Sequence, residues 1–309
     1  MISVFKTSGG VLSTLPAPEP DCWVSLVHPS PQEAEELSRE WGVPHDFLTD
    51  PLDVDETPRM EIDAPNTLFV VRTPCFDPEA ELQYTTVPLG IILTPDRIIT
   101  VSFQRDGVLE DLISGRVRNF STSNRTRFVL NVFRTTSLLY LKHLKEINRK
   151  TTGIEAELHR SLSNEALIRL LGLEKGLVYF TTSIRSNELV MERLHRTHFL
   201  KMSPEDEDFL EDVMVDNKQA IEMANIYSNI LSGMMDAFAS VISNNLSVVM
   251  KFLTSVTIIL MLPTLVASIY GMNVPLPFQK SPHAFLITMI VSFILAAIGV
   301  LIFVKRRWF

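Results

Sequence analysis

Four oxygen-bearing side chains recur at helical spacing inside an apolar run near the end of this sequence: Thr257, Thr264, Ser268 and Asn273. Ile258, Ile259, Leu262, Leu265 and Val266 fill the other faces of that run. Neutral hydroxyls and amides in a row offer hydrogen bonding rather than catalysis. Lipid gives such groups no partner, so the stripe must face another helix or water. Two readings stay open on these residues alone, helix-packing glue and the wall of an aqueous pore.

The element that carries the stripe has no charged side chain from Phe252 to Tyr270. At about 1.5 Å per residue it spans roughly 28 Å as a helix, close to the hydrocarbon thickness of a bilayer. A second uncharged run, Phe285 to Val304, follows after a short loop. Two such runs in succession predict a membrane hairpin. Lys251 flanks one end and Lys305, Arg306 and Arg307 the other. The positive-inside rule then puts both chain ends in the cytoplasm.

Upstream, Ser203 reads as a helix cap, Pro204 as the first helical position, and Glu205 to Asp208 as an acidic first turn. No helix-breaking doublet interrupts the chain from there to Pro263. A single helix from Pro204 to about Tyr270 is expected, roughly 100 Å long. Ile221, Ala224, Ile230, Leu231 and Met234 would be poorly covered on a lone copy, which predicts an oligomer. Counting back in sevens gives Thr264, Thr257, Met250, Ser243 and Asp236; an interleaved row gives Met261, Leu253, Ser247 and Ala239. A repeat near 3.5 residues keeps one face on a common axis. Small and polar residues dominate that face, which favours a wet axis over the alternative of core packing in a larger bundle.

Residues 1–124 read as an α/β domain, with strands at Cys22–Val27, Thr67–Arg72, Leu89–Leu93 and Arg97–Phe103. Thr94-Pro95-Asp96 is a turn, and helices open at Pro31 and Gly107. The acidic stretch Asp53, Asp55, Glu56, Arg59, Glu61 and Asp63 reads as a solvated loop. Two further helices, Thr126–Leu162 with an apolar face of Phe128, Val132, Leu138, Leu141 and Leu144, and Ser163–Leu200, form an antiparallel pair. The fold class is α+β: an N-terminal α/β cytoplasmic domain (1–124), a helical stalk (125–251) and two C-terminal transmembrane helices (252–309).

The net charge of −8, with no basic arm, argues against nucleic acid as a partner. Cys22 and Cys75 read as buried thiols, and the amino terminus lacks the order of a signal peptide. No Walker motif, dinucleotide fingerprint or nucleophile–base arrangement is present, so neither an enzyme nor a nucleotide-driven pump is expected. Glu192, His195 and His198 share a face, but a zinc site there needs a further ligand.

Tyr270-Gly271-Met272-Asn273 closes the first apolar helix, and a basic tail closes the second. In that position the Gly-Met-Asn tripeptide resembles the signature of the CorA family of divalent-cation transporters. The resemblance implies five subunits around the axis, with Gly271, Met272 and Asn273 as selectivity filter. Asn273 amides would hold Mg2+ through its water shell. Gly271 would turn the filter inward or serve as a plain glycine cap. Thr257, Met261, Thr264 and Ser268 would line the pore, and Met250 and Leu253 would gate it by dewetting. Lys251, Lys305, Arg306 and Arg307 would form a basic collar, or act as snorkelling anchors. Asp236 matches a stalk carboxylate that cytoplasmic Mg2+ bridges between subunits to hold the closed form; Asp53, Asp55 and Asp63 are candidates for its partner. The implied activity is Mg2+ and Co2+ uptake across the cell membrane, driven by membrane potential, with Ni2+ and Zn2+ also open.

The loop after Asn273, Val274 to His283, departs from the family pattern by holding no acid, while Lys280 and His283 oppose an anionic funnel. Pro263 also stands one residue from its usual place beside Met261. A proton-coupled zinc importer of the ZntB branch is therefore the runner-up. A membrane-anchored oligomeric scaffold without transport is the alternative from another class.

Overall fold

The computed structural model describes residues 1–105, 107–117, 120–161, 163–277 and 281–306. The chain divides into two compact units, Met1–Gly233 and Met234–Phe309. Seven strands in the first unit form one sheet: β1 (Ile2–Ser8), β2 (Val11–Leu15), β3 (Trp23–Val27), β4 (Arg59–Asp63), β5 (Asn66–Phe76), β6 (Tyr84–Leu93) and β7 (Ile98–Ser102). Their order is β2-β1-β3-β7-β6-β5-β4, with β3 and β7 parallel and every other pair antiparallel.

The central strands read as near-continuous apolar runs because both faces of the sheet are covered. On one face α1 (Pro31–Trp41) and α2 (His45–Thr49) bury Ala34, Leu37, Phe47 and Leu48 against Val24, Leu26, Leu68 and Val70. On the other, α3 (Gly107–Ile113), α4 (Arg125–Arg160), α5 (Asn164–Thr197) and the start of α6 (Pro204–Tyr270) pack over Trp23, Phe69, Val71 and Leu89. Trp23 is fully buried and donates Nε1–H to Thr100 Oγ1 at 2.9 Å. Gly90 is required by a close approach, since a Cβ there would lie 2.4 Å from Pro51 Cγ.

One amide of the helix pair is bonded twice to the sheet. Beyond its pairing with β4, β5 presents a free edge at Arg72; Asn187 of α5 accepts from Arg72 N–H at 2.9 Å and donates to Arg72 O at 2.8 Å. Asn187 is wholly buried, and its side chain stands in for a missing strand.

Three expectations need correction. The acidic stretch is not all loop: Arg59–Asp63 is the edge strand β4, in which Met60 points inward. Arg59 gathers the carboxylates of Asp50, Glu56 and Glu61. Leu138 does not belong to the apolar face of α4; it is 45% exposed, whereas Leu139 is buried. Ala224 and Leu231 are fully buried by the chain itself, so they ask for no second copy, while Ile226 and Ile230 remain exposed.

The second unit consists of α6 from Met234 onward and α7 (Ala284–Lys305). Both helices are long and apolar enough to cross a membrane.

Candidate functional site

Within the second unit α7 returns antiparallel along α6. A Cβ on Gly299 would lie 3.2 Å from Leu262 Cδ1 and 3.6 Å from Ile259 Cγ1, so the small residue permits close helix contact. Ser255 and Val266 are buried, and Ile259, Leu262 and Tyr270 are half-buried on the same side. At about 100° per residue these five span an arc of roughly 80°. Met250, Leu253, Thr257, Met261, Thr264 and Ser268 occupy a second arc of about 80°, whose centre lies about 180° from the packed one. All six are exposed. The hydroxyl row therefore takes no part in packing the hairpin, and helix glue to α7 is not its role within this chain. Thr254, also exposed, borders the same face; counting in sevens from Thr264 passes it by.

The chemistry of the row follows from where its protons go. Thr257 Oγ1 donates to Leu253 O at 2.8 Å, and Thr264 Oγ1 to Leu260 O at 3.1 Å. With its proton committed to the preceding turn, each hydroxyl presents only lone pairs outward. Such a surface accepts hydrogen bonds from the polarised waters of a hydrated cation. At these two positions it has nothing to donate to an anion.

At the end of α6 the helical ladder continues into the tripeptide. Gly271 N–H donates to Ala267 O at 2.9 Å and Met272 N–H to Ile269 O at 3.2 Å. Gly271 does not take the left-handed conformation of a glycine cap; that conformation among glycines falls to Gly9, Gly10, Gly42 and Gly115. Tyr270 Oη donates to Pro277 O at 3.4 Å and ties the following loop back to the helix. Asn273 is exposed, and its amide is bonded to none of the described residues. Lys280 lies outside the described residues.

Lys251 is exposed on α6, Lys305 ends α7, and Arg306 N–H caps it by donating to Ile302 O at 2.9 Å. The register that sets Gly299 against Leu262 carries Lys251 to the level of that basic end. Arg307 lies outside the described residues. Asp236 is exposed and, like Thr254, borders the arc of the hydroxyl row, with no ion pair among the described residues. No group of three or more His, Cys, Asp or Glu able to hold a metal ion occurs among the described residues. His195 and His198 therefore lack a further ligand, and His198 instead caps α5 in the left-handed region at φ 45°.

Comparison with known proteins fits this geometry. The profile of the family described as CorA-like Mg2+ transporter protein matches residues 21–306. The cobalt/magnesium transport protein CorA of Methanocaldococcus jannaschii is 30% identical over 291 residues, covering 93% of this chain and 90% of that one. Its counterpart in Thermotoga maritima is 25% identical over 313 residues, covering 98% and 88%. The complete structure of the CorA magnesium transporter from M. jannaschii superposes with a TM-score of 0.84 at 27% identity, over 100% of this chain and 99% of that one.

Proposed function

We infer the working of this chain from its family: it belongs to the CorA family of Mg2+ transporter proteins, matched over residues 21–306. It is a membrane transporter of divalent cations, Mg2+ and Co2+. We propose that several copies, five by likeness to the family, set the exposed arc of α6 around a common aqueous axis. The observation that carries this reading is the hydroxyl row facing away from α7, with the protons of Thr257 and Thr264 spent on their own helix.

Each position then has a physical task. Mg2+ gives up its water reluctantly, so a ring of Asn273 amides at the outer mouth holds the ion through its shell. Gly271 and Met272 complete that filter. Thr257, Thr264 and Ser268 accept hydrogen bonds from the moving shell, and Met261 spaces them. Met250 and Leu253, both exposed, form apolar rings that close the path by dewetting. Lys251, Lys305, Arg306 and Arg307 sit at the cytoplasmic boundary, with both chain ends on that side. Asp236, without an ion pair among the described residues, gains a carboxylate partner from a neighbouring copy when cytoplasmic Mg2+ bridges the two. That bridge favours the closed state.

The test is ion uptake into proteoliposomes by wild type and Asn273→Ala. The variant is expected to assemble normally and to lose Mg2+ flux by at least about tenfold, or about 1.4 kcal/mol of barrier. Undiminished flux with unchanged selectivity would remove the filter from Asn273. Absence of flux in wild type would favour an anchored scaffold.

A further inference from the structure

One face of α4 is left uncovered by the rest of the first unit. Arg134, Leu138, Lys142, Lys145 and Arg149 are all exposed. At about 100° per residue they share an arc of roughly 80°, with no Asp or Glu on it. Arg134 lies over the Phe209 ring at 5.2 Å, and none of the four cations has an ion pair among the described residues. Arg134, Leu138 and Lys142 border an open groove of about 470 Å3, where the carboxylate of Asp111 is already paired with Arg116.

The complement stands on α6. Glu205, Asp208 and Asp212 are exposed and Asp216 is half-exposed; the four share an arc of roughly 80° that holds no Lys or Arg. None of them has an ion pair among the described residues. Val215, 64% exposed, borders this arc, just as Leu138, 45% exposed, sits within the basic one. Like charges one helical turn apart repel, and Asp212 and Asp216 lie too far along α6 to answer its positive end. Each row is therefore unfavourable on its own helix.

Within one copy the two rows do not meet. Ser137 of α4 donates to Asn217 Oδ1 of α6 at 3.4 Å, and both residues are buried in that contact. The centre of the acidic arc lies about 140° around α6 from Asn217, so it faces away from α4.

We propose that the basic face of α4 docks on the acidic face of α6 in a second copy of this chain. Four cations then meet four carboxylates, with Leu138 and Val215 as the apolar centres of the two faces. Because two different patches meet, the contact is head-to-tail, and contacts of that kind close rings. An anionic membrane would suit the cations of α4 and leave the acids of α6 unanswered. The contact rests on the reading of several copies around a common axis. It adds which faces of the first unit join neighbours.

The experiment uses the full chain in nanodiscs of phosphatidylcholine, a neutral lipid, with Cys22→Ala and Cys75→Ser as background. Leu138→Cys and Val215→Cys together, treated with a short bismaleimide, are expected to give covalent dimers and larger species on a denaturing gel. Either one alone is expected to stay monomeric, since in a head-to-tail contact neither position meets itself. Reversing the basic row (Arg134→Glu, Lys142→Glu, Lys145→Glu, Arg149→Glu) should abolish the linked species. Reversing the acidic row (Glu205→Lys, Asp208→Lys, Asp212→Lys, Asp216→Lys) should do the same, and reversing both rows should restore them. The proposal is overturned if the two cysteines together give no linked species, or if one alone suffices. It is equally overturned if reversing one row leaves the yield unchanged, or if reversing both fails to restore it. Missing links in a chain that still assembles and takes up Mg2+ remove this contact alone; a chain that is monomeric in the nanodisc removes the common axis as well.

Discussion

At the start of α6 one carboxylate does several things at once. Asp206 accepts from Ser203 Oγ at 2.9 Å and from Arg127 of α4 at 2.9 Å, while Ser203 Oγ accepts from Asp206 N–H at 3.2 Å. Burial opposes the ionisation of Asp206 most strongly; the Ser203 hydrogen bonds and the Arg127 guanidinium together outweigh it and hold the carboxyl below the ordinary aspartate range. A depressed folded-state pKa means that the unfolded chain takes up the proton first as pH falls. The charge therefore adds stability above the unfolded-state value, and that contribution is lost as pH drops through the folded one. Asp206→Asn is expected to cost about 1–2 kcal/mol at neutral pH, with the gap closing in acid. Thermal unfolding of both proteins at neutral and acid pH checks this; a gap of equal size at both would exclude the charge as its source. Ser203-Pro204 announces this helix start in the sequence, because a cap and its first turn are local. Arg127 lies 79 residues away, and no spacing rule reaches it.

The helices are legible for the same reason that the edges of the sheet are not. Periodicity and caps mark α4 to α7 within a few residues, and Ser163 accepts from Ala166 N–H as a cap should. β4 escaped because an edge strand carries charge outward: Arg59, Glu61 and Asp63 alternate with Met60, which looks like an acidic loop until β5 lies beside it. β1 and β2 are a seven- and a five-residue strand at the start of the chain; β1 buries only Val4 and Phe5 and β2 no residue fully, so neither gave a run to notice. The hydroxyl row was visible as a pattern, but which side α7 covers was not; that depends on Gly299 meeting Leu262. This division of α6 into a packed arc and an open one makes a prediction at its own scale. In a chain with Cys22→Ala and Cys75→Ser, cysteines at Thr257 and Thr264 should react with a membrane-impermeant thiol reagent, and cysteines at Ser255 and Val266 should not. Protection of Thr257→Cys and Thr264→Cys in the assembled, conducting protein would place the hydroxyl row in lipid or in a dry contact, and the proposed path would be lost.

For the whole molecule the question is what does the work of moving a divalent ion. An inside-negative membrane supplies about 4.6 kcal/mol per 100 mV to a doubly charged cation, more than an ion gradient of one decade. The family profile matches nearly the whole chain, and no nucleotide motif stands in the sequence. The loop after Asn273 holds no acid to concentrate cations, so the field, rather than a charged mouth, must drive the proposed uptake. Proteoliposomes clamped with a potassium gradient and valinomycin separate the two transport readings. For a channel of the proposed kind, Mg2+ influx rises with inside-negative potential and is unmoved by a pH gradient at constant potential. A proton-coupled zinc importer would instead take up Zn2+ in preference to Mg2+, and would respond to the pH gradient with the potential held at zero. Flux that follows the proton gradient would therefore overturn the potential-driven reading while leaving the hydroxyl-lined arc of α6 as the path.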